Sequence, residues 1–272
     1  METDWKAQTA GFQIGASALA GTVSALNLII MAVSPLATLL SFGDEGYGDE
    51  LFWGAVRTLE ISLFGYVLGI GLGLLGAMGK LYGPVMFRPM FSGYTTLFRA
   101  VPELILIMLL YYAGTDAINA GLAKLGIGAV EVNGMVAAIC VLGVVQGAYA
   151  TEVLRAGILA IPIGQLEAAT ALGMSPVLRF RRIMLPAMLP LALPGLANLW
   201  LNITKDSALV SVVGFTELAL ATQQAAGVSK RYFALYVVAQ GVYLLISQCS
   251  LSIFGWLEDN VRRGQPGPAA AR

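Results

Sequence analysis

The chain has 272 residues, of which 57% are hydrophobic and only 12% charged, against about 25% charged in an average soluble domain, so a soluble globule of this size could not cover its surface. Lys and Arg total 16, Asp and Glu total 16, and there is no His; the basic footprint of a nucleic-acid binder is missing, and imidazole chemistry is excluded. Cys140 and Cys249 lie far apart in apolar runs, which excludes a disulfide scaffold or a cysteine-rich metal site and predicts two small buried hydrophobes.

The first apolar run, 12–40, is too long for the h-region of a cleaved signal, which takes roughly 7–15 residues, and is expected to stay as a membrane helix. A spanning helix needs about 20 mostly apolar residues. Five more stretches qualify, near 51–79, 91–114, 132–154, 186–213 and 232–256, giving an all-α integral membrane protein with six predicted spans. The connection 43–50 carries Asp44, Glu45, Asp49 and Glu50 without a positive charge, and is expected outside the cytoplasm. Lys6, Lys80, Arg88, Arg99, Arg155, Arg179, Arg181, Arg182, Arg262, Arg263 and Arg272 can all be placed on the opposite side, as the positive-inside rule asks, with both termini cytoplasmic. No aqueous segment leaves room for a separate soluble domain.

Along the second span Gly65, Gly69, Gly73 and Gly76 stack on one helix face, where another backbone can come close; ordinary helix packing accounts for such a pattern. Gly79-Lys80 invites comparison with a phosphate-binding loop and fails it. Leu74 stands where the first glycine belongs, and Leu81 replaces the Ser or Thr that would hold magnesium. In the third span Arg99 and Glu103 are four apart and could pair on one face. Alternatively, Pro102 starts a helix whose dipole favours Glu103 in its first turn. A further alternative sets the Glu103 carboxylate in the membrane interior as a partner for a cationic ligand.

The stretch 151–186 is amphipathic and lies between two spans. Pro162 breaks the preceding helix, Gln165 to Leu172 form a short one that Gly173 ends, and Ser175-Pro176 start another. Such a helix, set between two breaks and too small to build a core, is placed to meet something in the cytoplasm. In the fifth span Asn198, Asn202, Lys205 and Asp206 form a polar stripe, and in the sixth Tyr236, Gln240, Tyr243 and Ser247 form another. Polar stripes face protein or a wet cavity rather than lipid, so these helices line a path or bond to one another. Pro186, Pro190 and Pro194 weaken the start of the fifth span and offer a hinge.

Glu167-Ala168-Ala169, Gly173 and Ile183-Met184-Leu185-Pro186, with three residues before the glycine and nine after it, resemble the EAA motif of ABC-importer permeases. The similarity runs from about Leu51 to the end of the last span. It includes Tyr94 to Leu104, Tyr149 to Gly157, Phe180 to Pro186 and Lys205 to Val210, and it is most like the polar amino-acid branch, in its histidine, arginine and octopine group. Two departures stand out: the added span in 1–50, and Ala100 where many relatives have Gly.

The resemblance implies a five-span permease core at 51–257, preceded by an extra helix and acidic loop at 1–50 and followed by a cytoplasmic tail at 258–272. The loop 155–185 would couple to an ATPase through Glu167, Ala168, Ala169, Gly173, Ile183, Leu185 and Pro186. A second permease, identical or homologous, two cytoplasmic ATPase subunits and a periplasmic binding protein would complete a bacterial inner-membrane importer of polar, in particular basic, amino acids. The chain itself would bind neither cofactor nor metal, and ATP and magnesium would act through the ATPases. Candidates for the substrate path are Glu103, Asn198, Asn202, Lys205, Asp206 and Gln240. An ion-coupled amino-acid carrier and a non-transport membrane scaffold are the competing readings; an intramembrane enzyme is disfavoured because no paired catalytic constellation is present.

Overall fold

The computed structural model describes residues 38–43, 46–124 and 133–262. The expected first span falls almost wholly outside these residues, as does most of the tail. The chain divides into two compact units, Met1–Phe52 and Trp53–Arg272, and all packing described here lies within the second.

Among the described residues the fold is built of helices: α1 (Gly48–Tyr82), α2 (Arg88–Ala100), α3 (Glu103–Lys124), α4 (Gly134–Leu159), α5 (Ile163–Ala171), α6 (Pro176–Arg179), α7 (Leu185–Asp206), α8 (Leu218–Ser229) and α9 (Tyr232–Arg262). A π-turn, Phe180–Met184, joins α6 to α7, and a 3₁₀ segment, Ser207–Val213, continues α7. Among the described residues five helical stretches are long and apolar enough to cross a membrane: α1, α3, α4, Pro176–Val213 and α9.

The expected span at 91–114 is corrected. Pro102 disfavours helical geometry at Val101, which sits extended at φ −96°, ψ 140°, so the run splits into α2 and a span that begins at Glu103. Arg99 and Glu103 therefore sit on different helices. The expectation of buried cysteines fails as well, because Cys140 and Cys249 are both exposed. In a membrane chain an apolar side chain need not be inside the protein, since lipid is as apolar as the core.

Helix α4 is the centre of the bundle: 61% of its most apolar window is buried, against 11% for α3 and for α9, which therefore turn most of their apolar surface outward. It packs against α7, α2 and α3. Two clusters hold the bundle together. Ala77, Ala150, Leu154, Ile158, Met184, Met188, Ala192 and Leu196 form the one nearer the 163–185 loop. Ile61, Ile107, Ala138, Leu142, Ile203 and Val210 form the other.

The glycine face of α1 lies against α4. A Cβ at Gly69 would stand 3.2 Å from the Gln146 Cβ, one at Gly73 would stand 2.5 Å from the Ala150 Cβ, and one at Gly76 would overlap the Thr151 side chain. Small residues thus let the two backbones approach as the four-residue spacing predicts. Gly79-Lys80 lies inside helix α1 rather than in a loop. Lys80 Nζ reaches Glu152 Oε1 and Thr95 Oγ1, each at 2.5 Å. Helix α7 runs unbroken through Pro190 and Pro194; the irregularity lies just before it, where the Leu185 amide reaches back to the Phe180 carbonyl across the widened turn, a common accommodation near proline.

Candidate functional site

The loop 160–185 is built as its residue types dictate. Pro162 stands extended at φ −56°, ψ 123° and precedes the first turn of α5. At the other end Gly173 takes φ +72°, its amide donates to the Thr170 carbonyl at 3.0 Å, and the Met174 amide donates to the Ala169 carbonyl at 3.1 Å. This is the Schellman stop, which needs a left-handed residue at that place. Ser175 caps α6, its Oγ accepting from the Leu178 amide at 3.4 Å. Arg179 Nη1 donates to Thr170 Oγ1 at 2.6 Å, tying α6 back onto α5.

Ala169 is buried, whereas Glu167, Ala168 and Pro186 are exposed and Ile183 and Leu185 are half-buried. The exposed face also carries apolar side chains: Ile163 is 72% exposed, Leu172 77% and Val177 76%. Glu167 lines a shallow hollow with Tyr82, Leu166, Thr170 and Arg179. The arrangement is a knob with an apolar tip beside one acid, anchored in the bundle by Leu166 and Met184.

The polar side chains of the spans separate into two groups. Lys205 and Asp206 are neighbours in sequence, so the helical turn points them to different faces. Asp206 Oδ2 accepts from Gln146 Nε2 of α4 at 2.9 Å. Glu103, at the first turn of α3, lies beside both the Asp206 carboxyl and the Tyr149 hydroxyl. Arg99 forms no ion pair with Glu103 among the described residues; its guanidinium lies 5.8 Å from the Tyr149 ring centroid. Gln146 is 3% exposed, and its Oε1 is buried without a hydrogen-bond donor. Two carboxyls, a phenol and an unmet acceptor thus meet in one place, an environment fitted to a donor-rich cation.

Lys205 faces the other way, into a cavity of about 380 Å³ that it lines with Ala208, Gln240, Tyr243, Leu244, Ser247 and Gln248. Gln240, Tyr243 and Ser247 of the expected stripe meet there; Tyr236 does not line it, and Asn198 is exposed while Asn202 is half-buried.

Two polar clusters were not anticipated from the sequence. Glu152 bridges Lys80 and Arg155, the latter at 3.0 Å, joining α1 to α4; ionisable residues inside apolar spans are the signal that could have found it. Glu217, fully buried, caps α8. Glutamate is not among the preferred cap residues, so neither it nor α8 is announced by the chain.

The family described as "binding-protein-dependent transport system inner membrane component" matches residues 65–263. The histidine/lysine/arginine/ornithine transport system permease protein HisQ of Escherichia coli (strain K12) is 39% identical over 213 residues, 78% of this chain and 93% of that protein. The nopaline transport system permease protein NocQ of Agrobacterium fabrum is 40% identical over 230 residues, 84% of this chain and 97% of the other. Among solved structures, a chain of an amino acid ABC transporter crystallised with histidines superposes with a TM-score of 0.65 at 28% identity, covering 79% of this chain and 95% of its own. A chain of the inward-facing MetNI methionine transporter, 21% identical with a TM-score of 0.60, shares the fold.

Proposed function

Since the chain belongs to the family of binding-protein-dependent transport system inner membrane components, a multi-pass permease of the inner membrane, we propose that it works with a second permease, two cytoplasmic ATPase subunits and a periplasmic binding protein to import basic amino acids. The observation that carries the amino-acid reading is the meeting of Glu103, Asp206 and the unmet Gln146 acceptor, with Lys205, the neighbour of Asp206 in sequence, turned into a cavity on another face. An amino acid presents one carboxylate and one or more cations, and a path with charges of both signs on adjacent faces suits that pattern. Inside a span, where water is scarce, each ion pair counts for more than at a surface.

The exposed knob at α5 supplies the coupling. Glu167, Ala168, Ala169 and Gly173, with Ile183, Leu185 and Pro186 at its base, sit in a groove of the ATPase. Closure of the ATPases on ATP and magnesium moves the knob, and through Leu166, Met184 and the cluster they pack in it moves α4 and α7. The cavity then opens to the periplasm to accept the ligand. Both termini lie in the cytoplasm, with residues 1–50 forming the extra helix and loop.

Uptake of radiolabelled arginine and of a neutral amino acid, measured in vesicles containing the whole complex, tests this. Glu103→Gln keeps the shape and removes the charge, and is expected to lower arginine uptake about tenfold relative to the neutral substrate. An equal loss for both at matched membrane levels would give Glu103 a structural role only. Uptake in the absence of the ATPase subunits would favour an ion-coupled carrier instead.

A further inference from the structure

Among the described residues, the loop and the two polar faces leave one buried carboxylate, Glu217, unused. Glu217 is fully buried, and its carboxylate is saturated by donors from three helices. Oε1 accepts the Ala219 and Leu220 amides of α8 at 2.8 and 3.0 Å. Oε2 accepts Thr58 Oγ1 of α1 at 3.1 Å and the Tyr243 hydroxyl of α9 at 2.9 Å. Thr58 Oγ1 in turn accepts the Leu218 amide at 3.2 Å. These four donors satisfy both oxygens of the buried carboxylate. The fit is close: a Cβ on Gly54 would stand 3.0 Å from the Leu218 Cα. Tyr243 also lines the cavity with Lys205 and Gln240, so a single hydrogen bond separates the start of α8 from the cavity wall.

We infer that Glu217 is a positioning residue that makes α8 and the Tyr243 wall of the polar cavity move as one piece, so that a load on α8 reaches the site. The inference rests on the importer reading. The 163–185 loop lies at one end of the stretch Pro176–Val213 and α8 follows the other, so with that loop at the ATPase, α8 faces the approaching binding protein.

The test uses the complete complex in liposomes, with ATPase activity read with and without arginine-loaded binding protein, for Tyr243→Phe, Glu217→Gln and the double variant at matched membrane levels. Tyr243→Phe removes the hydroxyl that links Glu217 to the cavity wall and leaves the two amide bonds of the cap on α8 in place. Each single change is expected to lower the stimulated-to-basal ratio about tenfold, the size of one lost charged hydrogen bond, and the double change to lower it no further than the worse single one. A ratio unchanged in Tyr243→Phe, or losses that multiply in the double variant, would overturn the inference. Should Glu217→Gln fail to reach the membrane, Tyr243→Phe decides alone. A wild-type complex that the binding protein does not stimulate removes the importer reading and this inference with it, whereas a stimulated wild type beside an unaffected Tyr243→Phe removes the inference alone.

Discussion

Gly173 stands at φ +72° with no atom within 4 Å of where a Cβ would lie, so a side chain there meets a conformational penalty and no steric one. A non-glycine residue in left-handed geometry costs about 1–2 kcal/mol, whatever its size. Gly173→Ala is therefore expected to lower coupled transport nearly as much as Gly173→Leu, and Gly173→Asn less than either, because Asn tolerates that region. Transport rates at matched membrane levels read this; loss confined to Leu would make bulk the cause. At this scale the sequence was informative where the chemistry is local. Pro162, Gly173 and Ser175-Pro176 announce their own roles, and the structure has each in place. Gln146 and Tyr149 could not be read in the same way. Their meeting with Glu103 and Asp206 depends on three helices arriving together, and Glu217 hides because its four donors come from residues as distant as Thr58 and Tyr243.

Helices were legible by length and hydropathy, but their breaks were not always. The apolar run through 91–114 reads as one element until the extended Val101 before Pro102 divides it, and the Ala-rich α8 is too short to register as a span. Packing faces were clearer, since the α1 glycines lie against α4. That contact yields a paired prediction. A Cβ on Gly73 would stand 2.5 Å from the Ala150 Cβ, whereas one on Gly71 meets nothing within 4 Å. Gly73→Ala must push α1 from α4, and overpacking of this kind costs about 1–3 kcal/mol; Gly71→Ala gains helix propensity and is expected to be neutral or slightly stabilising. Thermal unfolding of the two detergent-purified variants should separate them clearly. Equal midpoints would mean that the interface relaxes freely around the added methyl.

For the whole molecule the orientation in the bilayer follows from parity together with charge. The stretch Pro176–Val213 starts beside the 163–185 loop, and α9 returns, so Arg262 and the loop with Arg179, Arg181 and Arg182 share a side. Counting back through α4, α3 and α1, the start of α1 at Gly48 falls on the opposite one. The positive-inside rule predicts a cytoplasmic side for the arginines, and a sixth span over 12–40 would bring the N-terminus back to join them. A periplasm-active reporter is expected to be silent when fused after residue 262 or at the N-terminus, and active when inserted in 43–50. A cytoplasm-active reporter should give the reverse. The N-terminal fusion is the informative one, because the other two follow from spans within the described helices. Periplasmic activity there, with 43–50 still outside, would mean that the run 12–40 does not cross and that the chain is a five-span permease with an external arm.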